Sequence, residues 1–325
     1  MQLQRLPLEL VDIITDSLQD DIQSLKNCAL SSRSLRFSAQ RHLFNTIYLT
    51  SSSGDLPGSC EGLHAILRCS PHIITYIREL RLYVGSEGSD KPFFWLLEDD
   101  NVALPRILET LANVRSIHIT NLSSNALIWR QIPRHIRDAI LAAFSSPRMR
   151  SVTLKKVAFY STKEYMTLFQ NSLSLKELYM WVACCLVGPR ASFVSNQDGG
   201  YDGAPAILKA RPQFETIWIK QSAGTLGEHT AYPDTTYVVD AFMHPRASLD
   251  ATTNLRKLCV SIHPEDDHGP LQVLLDKAKN LQELVLEVDV FGKIFSGSLC
   301  GVNWILTYPR QLPRVLTYPA YPRST

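Results

Sequence analysis

Apolar residues recur along this chain in two rhythms that take turns. The pattern apolar-x-x-apolar-x-apolar occurs seven times after residue 70, as Ile77–Leu82, Val114–Ile119, Met149–Leu154, Leu175–Met180, Phe214–Ile219, Leu255–Val260 and Leu281–Leu286. Successive starts are separated by 37, 35, 26, 39, 41 and 26 residues. The alternation at the end of each copy predicts a strand with one buried face. Stretches with helical spacing lie between the copies, at 62–67, 104–111, 136–144, 162–169, 204–210 and 271–278. A strand-plus-helix unit repeated in this way predicts an α/β solenoid over residues 50–290, in which each unit buries its apolar edge against its neighbours. Its crossovers between parallel strands should be right-handed.

The first 49 residues follow a helical rhythm instead. Leu6-Pro7-Leu8-Glu9-Leu10 opens a segment in which Leu10, Ile13, Ile14, Ser17 and Leu18 share a face. Proline suits a helix start, where its missing N–H has no partner to lose. Asp20 or Asp21 can cap a second helix carrying Ile22, Leu25, Cys28 and Ala29. A third carries Leu35, Ala39 and Leu43, and Ile47-Tyr48-Leu49 then alternates like a strand. Three short helices bury little apolar area alone, so such a module needs a partner.

These residues resemble an F-box. The resemblance rests on Leu6-Pro7-Leu8-Glu9-Leu10, Ile13-Ile14, Leu18, Leu25-Lys26-Asn27-Cys28-Ala29-Leu30 and the arginine-rich helix ending His42-Leu43-Phe44. It implies a three-helix module at 1–49 that docks on the Skp adaptor of a cullin–RING ligase. The implied contact residues are Leu6, Pro7, Leu10, Ile14, Leu25 and Leu30. Ser31-Ser32-Arg33-Ser34-Leu35 keeps the family's arginine but has leucine where a tryptophan is common, which implies weaker adaptor binding. The repeats resemble a degenerate leucine-rich-repeat array, and so imply a horseshoe with a curved parallel sheet. Spacings of 35–41 exceed the usual repeat length of about 20–29, so insertions are expected, chiefly at 187–206 and 222–237.

Strand alternation assigns the faces. The residue between the last two apolar positions of each copy should face outward, giving the lane Arg81, His118, Thr153, Tyr179, Trp218, Cys259 and Val285. The next outward lane reads Tyr83, Thr120, Lys155, Trp181, Lys220, Ser261 and Glu287. Tyr179, Trp181 and Trp218, flanked by Lys155 and Lys220, therefore form a candidate target-binding patch, since aromatic side chains dominate binding hot spots. The competing expectation is that the segment 187–206 folds over those rings and completes the core.

Composition narrows the function. With 33 Lys+Arg, 31 Asp+Glu and a formal net charge of +2, the chain lacks the basic excess of a nucleic-acid binder. Its longest apolar run, Met180–Val187, is shorter than the roughly 20 residues a membrane span needs. The opening residues do not read as a signal peptide, because Glu9 and Asp12 interrupt the apolar stretch. Seven cysteines without a CxxC pair suit a reducing compartment, cytoplasmic or nuclear. No GxSxG, GxxxxGK[ST], GxGxxG or HExxH motif occurs. His263 to His268 reads as a polar turn, and Cys184-Cys185 as packing. No cofactor, metal or catalytic residue is expected.

Residues 291–325, with Pro309, Pro313, Pro319 and Pro322, are expected to form an irregular tail. The function these features predict is that of a non-catalytic substrate receptor of a Skp–cullin–F-box ubiquitin ligase. The alternative is a leucine-rich-repeat interaction scaffold with no ligase role, its first helices only capping the array.

Overall fold

In the computed structural model, the described residues are 7–50, 59–85, 95–123, 126–159, 168–169, 171–181, 213–220, 253–262, 275, 278–288 and 305–307. Three helices open the chain: α1 (Leu8–Ser17), α2 (Ile22–Ser31) and α3 (Arg33–Leu43). Pro7 precedes α1, and its carbonyl accepts from the N–H groups of Leu10 and Val11 at 3.1 and 3.2 Å. Asp21 is the cap of α2, its Oδ1 accepting from the Ser24 N–H at 3.0 Å. Ser32 caps α3 through a 3.3 Å bond from the Ser34 N–H. The breaks between these helices are thus places where a side chain satisfies backbone donors that a helix start leaves open.

Beyond the module, strands and helices alternate as β1 (Thr46–Leu49), α4 (Ser59–Cys69), β2 (Glu79–Val84), α5 (Ala103–Thr110), β3 (Ser116–Asn121), β4 (Leu127–Ile128) and α6 (Arg134–Phe144). There follow β5 (Ser151–Lys155), β6 (Val157–Ala158), β7 (Glu177–Trp181), β8 (Thr216–Lys220), β9 (Lys257–Ile262), β10 (Glu283–Val288) and β11 (Ile305–Thr307). Nine of the strands form one sheet in the order β1-β2-β3-β5-β7-β8-β9-β10-β11, an α/β fold whose described strands do not close into a barrel. β4 and β6 make a small parallel pair beside it.

All seven pattern copies are strands, and each is paired in parallel with the next. The register keeps pattern positions level. Leu80, Ile117, Val152, Leu178, Ile217, Leu258 and Leu284 form one row, with Leu82, Ile119, Leu154, Met180, Ile219, Val260 and Leu286 in a second. The ladder extends one residue ahead of the strands. Arg115 donates its N–H to Arg78 and Arg150 to Arg115, both at 2.7 Å, and Lys176 donates to Arg150 at 2.9 Å.

Both apolar rows are buried and share one core cluster with Leu104, Ile107, Ile136, Ile140 and Phe144 of the helices. The described helices therefore cover one face of the sheet, and none of them packs on the other, the open face. Gly85 ends β2 at φ +77, a left-handed conformation; a Cβ there would lie 3.1 Å from the Ser123 Cβ and 3.2 Å from the Asn121 Oδ1. Asn121 Oδ1 in turn accepts from the Ser123 N–H at 3.0 Å, so the turn after β3 is braced by a buried amide.

Two boundaries differ from the expected ones. Thr46–Leu49, assigned with the first 49 residues, is the edge strand of the sheet, paired in parallel with β2. Its alternating Ile47 and Leu49 stand level with Leu80 and Leu82 and so extend the same apolar rows. Within 291–325, expected to be irregular, Ile305–Thr307 pairs antiparallel with β10. An unpaired edge leaves a row of backbone donors and acceptors open, and this short strand meets them.

Candidate functional site

Two surfaces carry the residues singled out from the sequence. The first is the N-terminal module. Its inward face on α1 is Val11 and Thr15, 1% and 0% exposed. Asp12 and Asp16, one turn apart, bind α3. Asp12 Oδ1 accepts from Ser38 at 2.5 Å, and Asp16 Oδ1 meets Arg41 Nη2 at 3.3 Å and His42 Nε2 at 2.7 Å. These contacts turn the apolar stripe of α1 outward. Leu10 and Ile14 are 46% and 41% exposed, Leu30 at the end of α2 is 84% exposed, and Pro7 is exposed. Leu25 behaves differently. At 1% exposure it packs inside the three helices, where it holds α2 in place rather than facing a partner. Leu6 lies outside the described residues.

The second surface is the open face of the sheet. Thr153, Tyr179 and Trp218 stand level across β5, β7 and β8, as do Lys155, Trp181 and Lys220. The Tyr179 and Trp218 rings lie 5.9 Å apart at 59°. Lys155 Nζ sits 4.3 Å over the Trp181 ring. Trp181 and Trp218 are 41% and 38% exposed, whereas Tyr179 and Lys155 are half-buried. Burial and the charge of Glu177 raise the Tyr179 hydroxyl above its ordinary range. The side chain of Lys220, like the segment 187–206, lies outside what is described.

Alternation along the strands missed what lies beside the aromatic patch. Ser116, Ser151 and Thr153 put small side chains on the open face of β3 and β5, between large ones on β2 and on β7–β8. The result is a concavity of about 550 Å³, lined also by Glu79, His118, Glu177, Tyr179, Trp181 and Trp218. The lane before the central one, read across the copies, carries this signal as Glu79, Ser116, Ser151, Glu177 and Thr216.

One wall is a polar network. Glu79 Oε1 accepts from Arg81 Nε at 2.8 Å and lies 2.9 Å from His118 Nε2, whose hydrogen-bond partner is the Ser116 hydroxyl at 2.8 Å, while Oε2 accepts from Thr46 at 3.1 Å. Burial works to raise Glu79, but the bonds from Arg81 and Thr46 prevail and hold its carboxyl below the usual range. Burial lowers His118 despite Glu79, so its ring stays neutral at neutral pH. The His118–Glu79 contact is then not an ion pair at neutral pH. Arg81 also lies 5.4 Å over Tyr48, which stacks on Tyr83 with centroids 6.2 Å apart.

Among the described residues, no cluster of three or more His, Cys, Asp or Glu could hold a metal ion. Cys60 is buried, and burial pushes its thiol up to about 12, which leaves no thiolate for chemistry. The residues 263–268 and Cys184-Cys185 lie outside the described residues. No helix among the described residues is long and apolar enough to cross a membrane.

No protein-family model matches the sequence, and no curated protein matches it. Among solved structures, the chain is similar to the tropomodulin C-terminal domain of Caenorhabditis elegans at 9% identity, over 68% of this chain and 92% of that one, with a TM-score of 0.32.

Proposed function

We propose that this chain is a non-catalytic substrate receptor of a Skp–cullin–F-box ubiquitin ligase. In this reading α1–α3 are an F-box that docks on the Skp adaptor, and the strand–helix copies are a leucine-rich-repeat-like solenoid that holds a target protein. The observation that carries it is the outward apolar face of the helical module. Leu8, Leu10, Ile13, Ile14, Ile22, Leu30 and Phe37 are 64%, 46%, 63%, 41%, 60%, 84% and 59% exposed, and all seven lie within 30 residues of one another. Apolar side chains concentrated in this way mark a surface that a partner covers. The level register of the seven copies supports the solenoid half of the reading.

The receptor does no bond chemistry. It raises the local concentration of target lysines near a ubiquitin-charged enzyme held elsewhere in the assembly. A pull-down with purified Skp adaptor tests the reading. Wild type is expected to bind, and the double variant Leu10→Asp, Ile13→Asp to lose binding while melting near wild type. A wild-type chain that fails to bind would leave the scaffold reading in its place.

A further inference from the structure

The concavity on the open face is built unlike a general apolar patch. Its floor is Ser116, Ser151 and Thr153, and its far wall is Tyr179 and Trp218. Glu177 enters it from the start of β7, half-buried. The carboxylate of Glu177 has no hydrogen-bonded or ionic partner among the described residues, whereas Glu79 across the trough already holds Arg81 and the His118 ring. Among the described residues, then, the trough presents one carboxylate that no donor bonds. A cation entering the trough would meet this carboxylate, so the site is complementary to a single positive charge.

The aromatic wall suits the same occupant. Electron-rich ring faces attract cations, and on this surface Lys155 already lies over Trp181 at 4.3 Å. Of the two cationic side chains, a guanidinium fits more of what is present. It is planar, so it stacks on a ring while its N–H fork spans a carboxylate. Its remaining donors reach the floor, where the hydroxyls of Ser151 and Thr153 are acceptors without a partner among the described residues. Its three-methylene stem lies along apolar ring surface.

We propose that this trough captures an arginine side chain of the target protein, held by the Glu177 carboxylate and stacked on the Tyr179–Trp218 wall. The assignment rests on reading the open face as the target-binding surface, and it names the chemistry that the surface selects.

The test is a titration of the full chain with a blocked pentapeptide carrying a central arginine. The matching lysine and citrulline peptides run in parallel, with tryptophan fluorescence as the readout. A saturable change in the millimolar range is expected with arginine, a weaker one with lysine and none with citrulline, which keeps the shape but loses the charge. Glu177→Gln, nearly isosteric, is expected to weaken arginine binding about tenfold, the effect of losing a charged hydrogen-bond partner. Ser151→Phe, which fills the floor, should abolish the response with the circular-dichroism spectrum unchanged. Binding of citrulline or lysine as tight as that of arginine, an unaltered affinity in Glu177→Gln, or no saturable response would overturn the proposal. The adaptor takes no part in this titration. Failure here leaves adaptor docking standing, and loss of adaptor binding leaves this titration unchanged.

Discussion

Glu79 and His118 are adjacent on the open face only because β2 and β3 are in register, yet together they set an acid sensitivity. Both are lowered in the folded chain, Glu79 from an ordinary 4.5 and His118 from 6.5. A lowered group stabilises the fold above its unfolded-state value and loses that contribution as pH falls toward its folded-state value. His118 therefore withdraws stability first, below about 6.5, and Glu79 follows below about 4.5. Protonation of His118 would also place a second cation beside Arg81. The expected outcome is a urea midpoint that falls between about pH 7 and about pH 5, and a shallower fall in His118→Gln. Parallel slopes in the two proteins would rule this account out. None of this was legible from His118 alone, which in sequence is one polar residue in an outward lane. The signal becomes readable only when position 79 of one copy is set beside position 118 of the next.

At the scale of the element, helical periodicity placed α1–α3, α4, α5 and α6 within a few residues, because caps and breaks are local chemistry. It did not say which side of α1 faces in. Leu10, Ile13 and Ile14 are the more apolar stripe, yet Val11 and Thr15 are buried. Asp12 and Asp16 decide the matter by bonding to Ser38, Arg41 and His42 of α3. The same packing sorts the residues of the proposed adaptor surface. Leu25→Ala should cost about 2–5 kcal/mol, as for other buried leucines. Ile13→Asp, at an exposed position, should change stability by no more than about 0.5 kcal/mol. Chemical denaturation of the two variants compares them directly, and an equal loss in both would place Ile13 in the core.

For the whole molecule, the sheet grows by adding one strand beside the last, so position in the row governs stability. β3, β5 and β7 are paired on both sides, whereas β1 has only β2 beside it among the described strands. Local opening is easiest where backbone bonds and buried neighbours are fewest. Amide exchange is expected to be slowest in β3, β5 and β7 and clearly faster in β1. Equal protection of β1 and β5 would show that something covers the edge.

The repeated pattern was sufficient to locate every strand of the seven copies and to pair them correctly in lanes. Alternation at two residues and recurrence in chain order are properties a sequence carries in full. The short edge strands β1 and β11 were less legible, since their pairing depends on an edge left open by residues far away. The outward turn of α1, the Glu79–His118 network and the trough beside Tyr179 and Trp218 arise from distances between residues tens of positions apart. Packing and register set those distances. The aromatic patch could thus be named from the chain, while the Glu177 carboxylate that shares its concavity came into view only when the strands were side by side.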